Sequence, residues 1–184
     1  MSRQYWTEAL AWSTADGAAV ASASETISFP NVTIPANYMS DGRQLEVWQW
    51  GRYSSTTGPP TIRFRQRWNG VAGTVLADSG TFTCIASQTN AIWMNYLRMT
   101  VRTNGAAGTV FSMGVAMLFN AVAPTVGSAT GAPGIAPMGV AGITAPAASA
   151  AIDLTADTPL AHTIHHSSAS NASTGHNFYL DVPN

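Results

Sequence analysis

Ile92-Trp93-Met94-Asn95-Tyr96-Leu97-Arg98-Met99-Thr100-Val101-Arg102-Thr103, followed by Asn104-Gly105, decides the fold class. In an extended chain Trp93, Leu97, Met99 and Val101 fall on one face, and Met94, Tyr96, Arg98 and Arg102 on the other. A period of two marks a strand with one face buried. Asn-Gly readily adopts the positive φ angles of a tight reversal, so the chain is expected to turn back into residues 109–119 as a hairpin. That second arm is free of charge and is expected to be covered on both faces.

The alternation recurs on either side. In Gln44–Tyr53, Leu45 and Val47 share a face with Gln49, while Trp48 and Trp50 share the other with Glu46. Asp41-Gly42, Asn69-Gly70 and Ser79-Gly80 punctuate the chain as turn dipeptides. Strands are expected over 25–34, 43–53, 60–69, 73–77, 80–86, 92–103, 108–119, 151–156, 160–166 and 176–182. No helical period intervenes, which predicts an all-β, antiparallel sandwich or barrel.

Two regions depart from the pattern. Residues 120–150 are dominated by Ala, Gly and Pro, with Ile135, Val140 and Ile143 interspersed. They are too apolar for a solvated linker and read as an ordered, irregular insertion packed against another surface. Residues 1–23 carry Tyr5, Trp6, Leu10 and Trp12 ahead of an Ala/Ser stretch and read as a projecting or draping N-terminal arm. The expected organisation is an arm (1–23) and one sandwich domain (24–184) that carries the 120–150 insertion.

Charge is scarce in the 184 residues. Only 9% are charged, against roughly 25% in an ordinary soluble domain. All eight basic residues are arginine, and residues 103–152 carry no charged side chain. A chain without mixed surface charge is expected to spend its working life against neighbours. The net charge of −1 offers no field for nucleic acid or an anionic membrane. The N-terminus lacks the layout of a secretory signal, and the apolar run 110–122 is too short for a transmembrane helix. Cys84, the single cysteine, is expected to be a small buried apolar residue. The Asn31-Val32-Thr33 and Asn171-Ala172-Ser173 patterns carry no further meaning without secretion.

Thr61–Trp68 is the sharpest local feature. Ile62, Phe64 and Trp68 point to one side and Arg63, Arg65 and Arg67 form a row on the other. Three like charges on one face need carboxylates or anions opposite. Glu46, Asp78 and Asp181 are candidate partners within the chain. Alternatively the row makes a contact between subunits or with a shell, where the planar fork of arginine suits carboxylates. His162 and His166 share a strand face about 13 Å apart, too far to ligate one ion within a chain. A metal site would need symmetry mates or His176 from a neighbouring strand, so no metal and no cofactor are expected, and the histidines read as an edge-strand or interface patch. Trp48, Trp50, Trp68 and Trp93 are candidates for a sugar-stacking platform, with core or interface packing as the alternative. No nucleophile elbow, metal-ligand spacing or phosphate loop is present, so no enzyme is expected.

Several stretches resemble a family of jelly-roll proteins of tailed bacteriophages, known as head-decoration or minor structural proteins. They are Ala15-Asp16-Gly17-Ala18, Val32-Thr33-Ile34-Pro35-Ala36-Asn37-Tyr38-Met39 and Asp41-Gly42-Arg43-Gln44-Leu45-Glu46-Val47 running to Gly51-Arg52-Tyr53-Ser54. Further matches are Ile62–Gly70, Trp93–Gly105 and Phe178-Tyr179-Leu180-Asp181-Val182. The resemblance implies a jelly-roll sandwich that assembles as a homotrimer on the outer surface of a capsid, with the major capsid protein as partner and no catalytic residues. In that setting Tyr5–Trp12 is the candidate shell or neighbour contact, with Arg63, Arg65, Arg67, Ile135, Val140 and Ile143 as further interface candidates. A tail-fibre or receptor-binding module reading host glycans through tryptophans is the rival. An internal head protein touching DNA through the arginine strand is the third.

Overall fold

The computed structural model describes residues 7–56, 60–119, 121–122, 134–140 and 147–183. The described residues contain strands and loops and no helix. The strands are β1 (Thr7–Trp12), β2 (Thr26–Ile27), β3 (Val32–Ile34), β4 (Gln44–Ser54), β5 (Thr61–Trp68), β6 (Thr74–Cys84), β7 (Ala91–Thr103), β8 (Thr109–Leu118), β9 (Ala121–Val122), β10 (Gly134–Gly139), β11 (Thr158–His166) and β12 (Ala172–Pro183). They form one sheet in the order β1-β12-β4-β7-β8-β10-β6-β5-β11-β2, with β3 also on β11 and β9 on β6. Every pairing is antiparallel.

The sheet curls until its halves face each other. Trp93 of β7 lies 5.1 Å from Phe64 of β5, ring centroid to ring centroid, although those strands are far apart in the sheet order. Asn95 Nδ2 of β7 reaches His162 Nε2 of β11 at 3.1 Å. The core between the halves is built from the inward residues of the alternation: Leu45, Val47 and Tyr53 from β4, Ile62 and Phe64 from β5, and Trp93, Leu97, Met99 and Val101 from β7. Trp93 is admitted by Gly51. A Cβ there would stand 2.7 Å from the indole and 2.0 Å from the Thr174 carbonyl oxygen.

The hairpin of residues 92–119 is present as β7 and β8, paired from Trp93↔Leu118 to Thr103↔Thr109. Several expectations need correction. Ser79-Gly80 is not a reversal between two strands but a bulge inside β6. Gly80 sits at φ +68°, its N–H donates to Asp78 Oδ1 at 2.8 Å, and the pairing to β5 skips between Arg63↔Thr81 and Arg65↔Asp78. The 25–34 segment is two short strands broken near Pro30, which lacks a backbone donor. Residues 151–156 form no strand and hold only an isolated bridge, Gly108↔Ile152.

The 120–150 segment departs most from its sequence reading. Gly134–Gly139 is strand β10, in six-residue register with β8 from Gly134↔Leu118 to Gly139↔Met113, and bridged to β6 at Gly139↔Asp78. Its outward residues are Ile135 and Pro137, so the polar half of the usual alternation is missing and the period is invisible. The N-terminal arm is likewise part of the sheet from Thr7 on. β1 pairs with β12, and Ser13 N, Gly17 N and Val20 N continue along it to the Phe178, Gly175 and Ser173 carbonyls at 2.9, 2.8 and 2.7 Å. Val20 is buried, so removing residues 1–23 would strip an edge strand and a core contact.

Candidate functional site

The outer face of β12, β4, β7, β8 and β10 is the surface that the sequence did not lead one to expect. Cross-strand register builds it row by row. One level reads Asn177, Trp50, Met94, Met117, Ile135 across the five strands, and the next reads Tyr179, Trp48, Tyr96, Val115, Pro137. Met113, 58% exposed, follows on β8, and Ile92 and Phe119 border the opposite end. Five strands at ~4.8 Å spacing make this apolar face about 19 Å wide. The expectation that β8 would be covered on both faces therefore fails for the single chain: its inner side chains are buried, while its outer ones are only half-buried and Met113 is exposed.

Polar groups gather at one margin. Asp181, Glu46 and Arg98 stand at one level of β12, β4 and β7, and the Arg98 guanidinium donates to the Glu46 carboxylate. The Tyr96 hydroxyl also donates to Glu46, at 3.3 Å. Burial, with the Glu46 charge next in weight, raises the Tyr96 phenol above its ordinary value. Trp48, Trp50, Ile92, Met94, Phe119, Asn177 and Tyr179 line a shallow groove of about 750 Å³ on this face.

The arginine row lies on the other half of the sheet and is satisfied within the chain. Arg63 and Arg65 bind Asp78, while Arg65 and Arg67 bind Glu25, giving an alternating ladder. Thr163 Oγ1 adds a 2.5 Å bond to Glu25, and Arg67 Nη1 donates to the Gly73 carbonyl at 2.8 Å. Burial opposes ionisation of Glu25, but hydrogen bonds from Arg67 and Thr163 and the charges of Arg65 and Arg67 outweigh it and hold the carboxyl at about 2. Burial is likewise outweighed at Asp78, which Arg63, Arg65 and the Gly80 N–H hold below the ordinary carboxylate range. Of the partners expected from sequence, Asp78 is confirmed, and Glu46 and Asp181 lie elsewhere. Glu25 was missed, because it sits just before a two-residue strand whose neighbour only the fold determines.

Two of the four histidines, His162 and His166, are core residues and not an edge-strand or interface patch, whereas His165 is half-buried and His176 is half-buried with Nδ1 2.9 Å from Asp16 Oδ1. His162 is buried between the sheet halves, with Nδ1 2.5 Å from Ser28 Oγ and its ring stacked on Trp93 and Phe64. Burial pushes His162 down to about 3. His166 is also buried and lies at about 4, lowered by burial and by neighbouring His165. Among the described residues no cluster of His, Cys, Asp and Glu could hold a metal ion.

The remaining candidates divide clearly. Trp12 is 60% exposed at the end of β1, and Leu10 packs against the core. Ile135 is 52% exposed on β10, and Val140 is half-buried in the turn after it. Tyr5, Trp6 and Ile143 lie outside the described residues. The four tryptophans do not form one platform: Trp68 and Trp93 are buried, and only Trp48 and Trp50 reach the outer face. The sequence reading overlooked the tyrosines that flank them, although Tyr96 already stood on the correct side of the β7 alternation.

No protein-family model matches this chain, and no curated protein matches it. Among solved structures it is similar to the CBM2 module of the evolved Dit of Lactobacillus casei BL23 phage J-1. The TM-score is 0.35 at 10% identity, over 84% of this chain and 68% of that one. So distant a likeness assigns no role.

Proposed function

We propose that this chain is a non-enzymatic structural protein of a phage virion, a jelly-roll-type cement protein that assembles as a homotrimer on the outer head surface. The major capsid protein is then its partner. The observation that carries the assembly is the uncharged outer surface of β8 and β10, formed by Met113, Val115, Met117, Ile135 and Pro137. Such a contiguous apolar face is rare on a free monomer. With no charge to be matched, it fits an apolar surface on a neighbouring copy of the chain, as the head-to-tail contacts of a trimer require, and homo-oligomer interfaces are the most apolar class. The packing of the curled sheet's halves on each other supports a jelly-roll reading of the topology. The phage setting is supported by the sequence stretches that resemble decoration proteins. The arginine ladder is a clamp within the chain on this reading, and it matches three cations with two carboxylates, leaving little charge for DNA.

Light scattering after size-exclusion chromatography tests the assembly. The intact chain is expected to run as a trimer, and the Met117→Glu/Ile135→Glu double variant as a folded monomer. A wild-type chain that stays monomeric at high micromolar concentration refutes it. Copy number per purified particle tests the location: hundreds of copies fit a cement protein, and a handful fit a fibre.

A further inference from the structure

Register places four aromatic side chains at one level of the sheet, one on each of four successive strands. Trp12 of β1 stands opposite Tyr179 of β12, Tyr179 opposite Trp48 of β4, and Trp48 opposite Tyr96 of β7. The Trp48 and Tyr96 ring centroids are 4.3 Å apart. Trp50, one level along β4, adds a fifth ring opposite Asn177. Strands spaced by ~4.8 Å make this row about 14 Å long.

The face thus changes chemistry partway across. On β8 and β10 it presents Met113, Val115, Met117, Ile135 and Pro137, with no side-chain hydrogen-bonding group suited to a hydroxyl. On β1, β12, β4 and β7 it presents rings edged by polar groups: the Asn177 amide on one margin, and Glu46, Arg98 and the Tyr96 hydroxyl on the other. A sugar ring needs that combination. Its axial C–H bonds form an apolar face that packs on an aromatic ring, and its equatorial hydroxyls require donors and acceptors at the edge. Trp48 and Tyr96, tilted by 42° at a centroid separation of 4.3 Å, stack on each other and present one joint surface, flanked along the row by Tyr179 and Trp12 on the neighbouring strands. Glu46 and Arg98 neutralise each other, Asp181 beside them is buried, and the row itself is uncharged, which favours a neutral chain.

We propose that Trp12, Tyr179, Trp48 and Tyr96, with Trp50, form a binding platform for an extended, neutral, β-linked polysaccharide that runs across the strands. It uses strands β1, β12, β4 and β7 and leaves the β8–β10 surface to the protein neighbour.

The test is titration of the assembled full chain with cellohexaose and with chitohexaose, followed by calorimetry and by tryptophan fluorescence. Trp12 and Trp50 are exposed, so Trp12→Ala and Trp50→Ala remove ring surface without touching the core. Binding is expected in the submillimolar range with a change in tryptophan emission. Each variant is expected to weaken it roughly tenfold, whereas Thr81→Ala, exposed on β6 in the other half of the sheet, leaves it unchanged. If neither hexasaccharide binds the folded wild-type chain at millimolar concentration, the proposal fails. Binding that survives the Trp12→Ala/Trp50→Ala double substitution overturns it equally, as does a loss that follows Thr81→Ala instead. Light scattering on the same samples reads trimerisation separately, so the two readings stand or fall independently.

Discussion

Acidification from pH 7.5 to pH 5 is expected to cost this fold about 4 kcal/mol, through two buried histidines. In the unfolded chain each imidazole titrates near its ordinary value of about 6.5. In the folded chain His162 is held at about 3 and His166 at about 4, both chiefly by burial. Because the folded values are depressed, folding at pH 5 requires both histidines to release a proton. Stability is therefore complete above about pH 6.5 and falls as the pH drops from there towards the folded values. At pH 5 each histidine lies about 1.5 pH units below its unfolded value, and at about 1.4 kcal/mol per unit the loss is about 2 kcal/mol apiece. The carboxylates act in a lower window. Glu25 titrates at about 2 when folded and 4.5 when free, so its contribution is almost fully present at pH 5 and is lost on further acidification. Urea unfolding monitored by tryptophan fluorescence, at one protein concentration and at both pH values, measures the difference. His166→Asn should show about half the wild-type loss. A wild-type stability that is flat or rising between pH 7.5 and 5 would refute the burial of both rings as neutral species.

Three other perturbations probe separate parts of the molecule. Gly51→Ala drives a methyl group into the Thr174 carbonyl and the Trp93 indole and should cost about 3 kcal/mol, read as a lower urea midpoint. Glu25→Gln leaves Arg65 and Arg67 without their shared carboxylate and should cost about 2 kcal/mol, with the loss fading as the pH approaches 2 and the native carboxylate itself protonates. Cys84 is buried and its thiol is pushed up to about 12, so a disulfide reagent at pH 8 should leave it unmodified until urea unfolds the chain.

Much of the scaffold was legible because strand alternation is local. Trp93, Leu97, Met99 and Val101 had to share a face whichever strands lay beside them, and so did Arg63, Arg65 and Arg67. The Asn104-Gly105 reversal joined two strands through a few residues of chain. β10 was illegible for an equally physical reason: Ile135 and Pro137 occupy outward positions where polar residues normally reveal the period. β1 was hidden because an edge strand of six residues takes its shape from its partner, and that partner is β12 at the opposite end of the chain. The Ser79-Gly80 bulge shows the converse, since the same dipeptide chemistry that reverses a chain can kink a continuous strand.

By itself the sequence determined an all-β, antiparallel chain, the inward and outward faces of its long strands, and an unusual poverty of charge. The tertiary structure alone decided which strands are neighbours. A period of two assigns each side chain to a face but says nothing of what lies across the sheet, because pairing joins residues far apart in sequence. Only when β1, β12, β4 and β7 lie side by side do Trp12, Tyr179, Trp48 and Tyr96 become a row. Only when β10 joins β8 does Ile135 meet Met117 and make the neutral segment a surface.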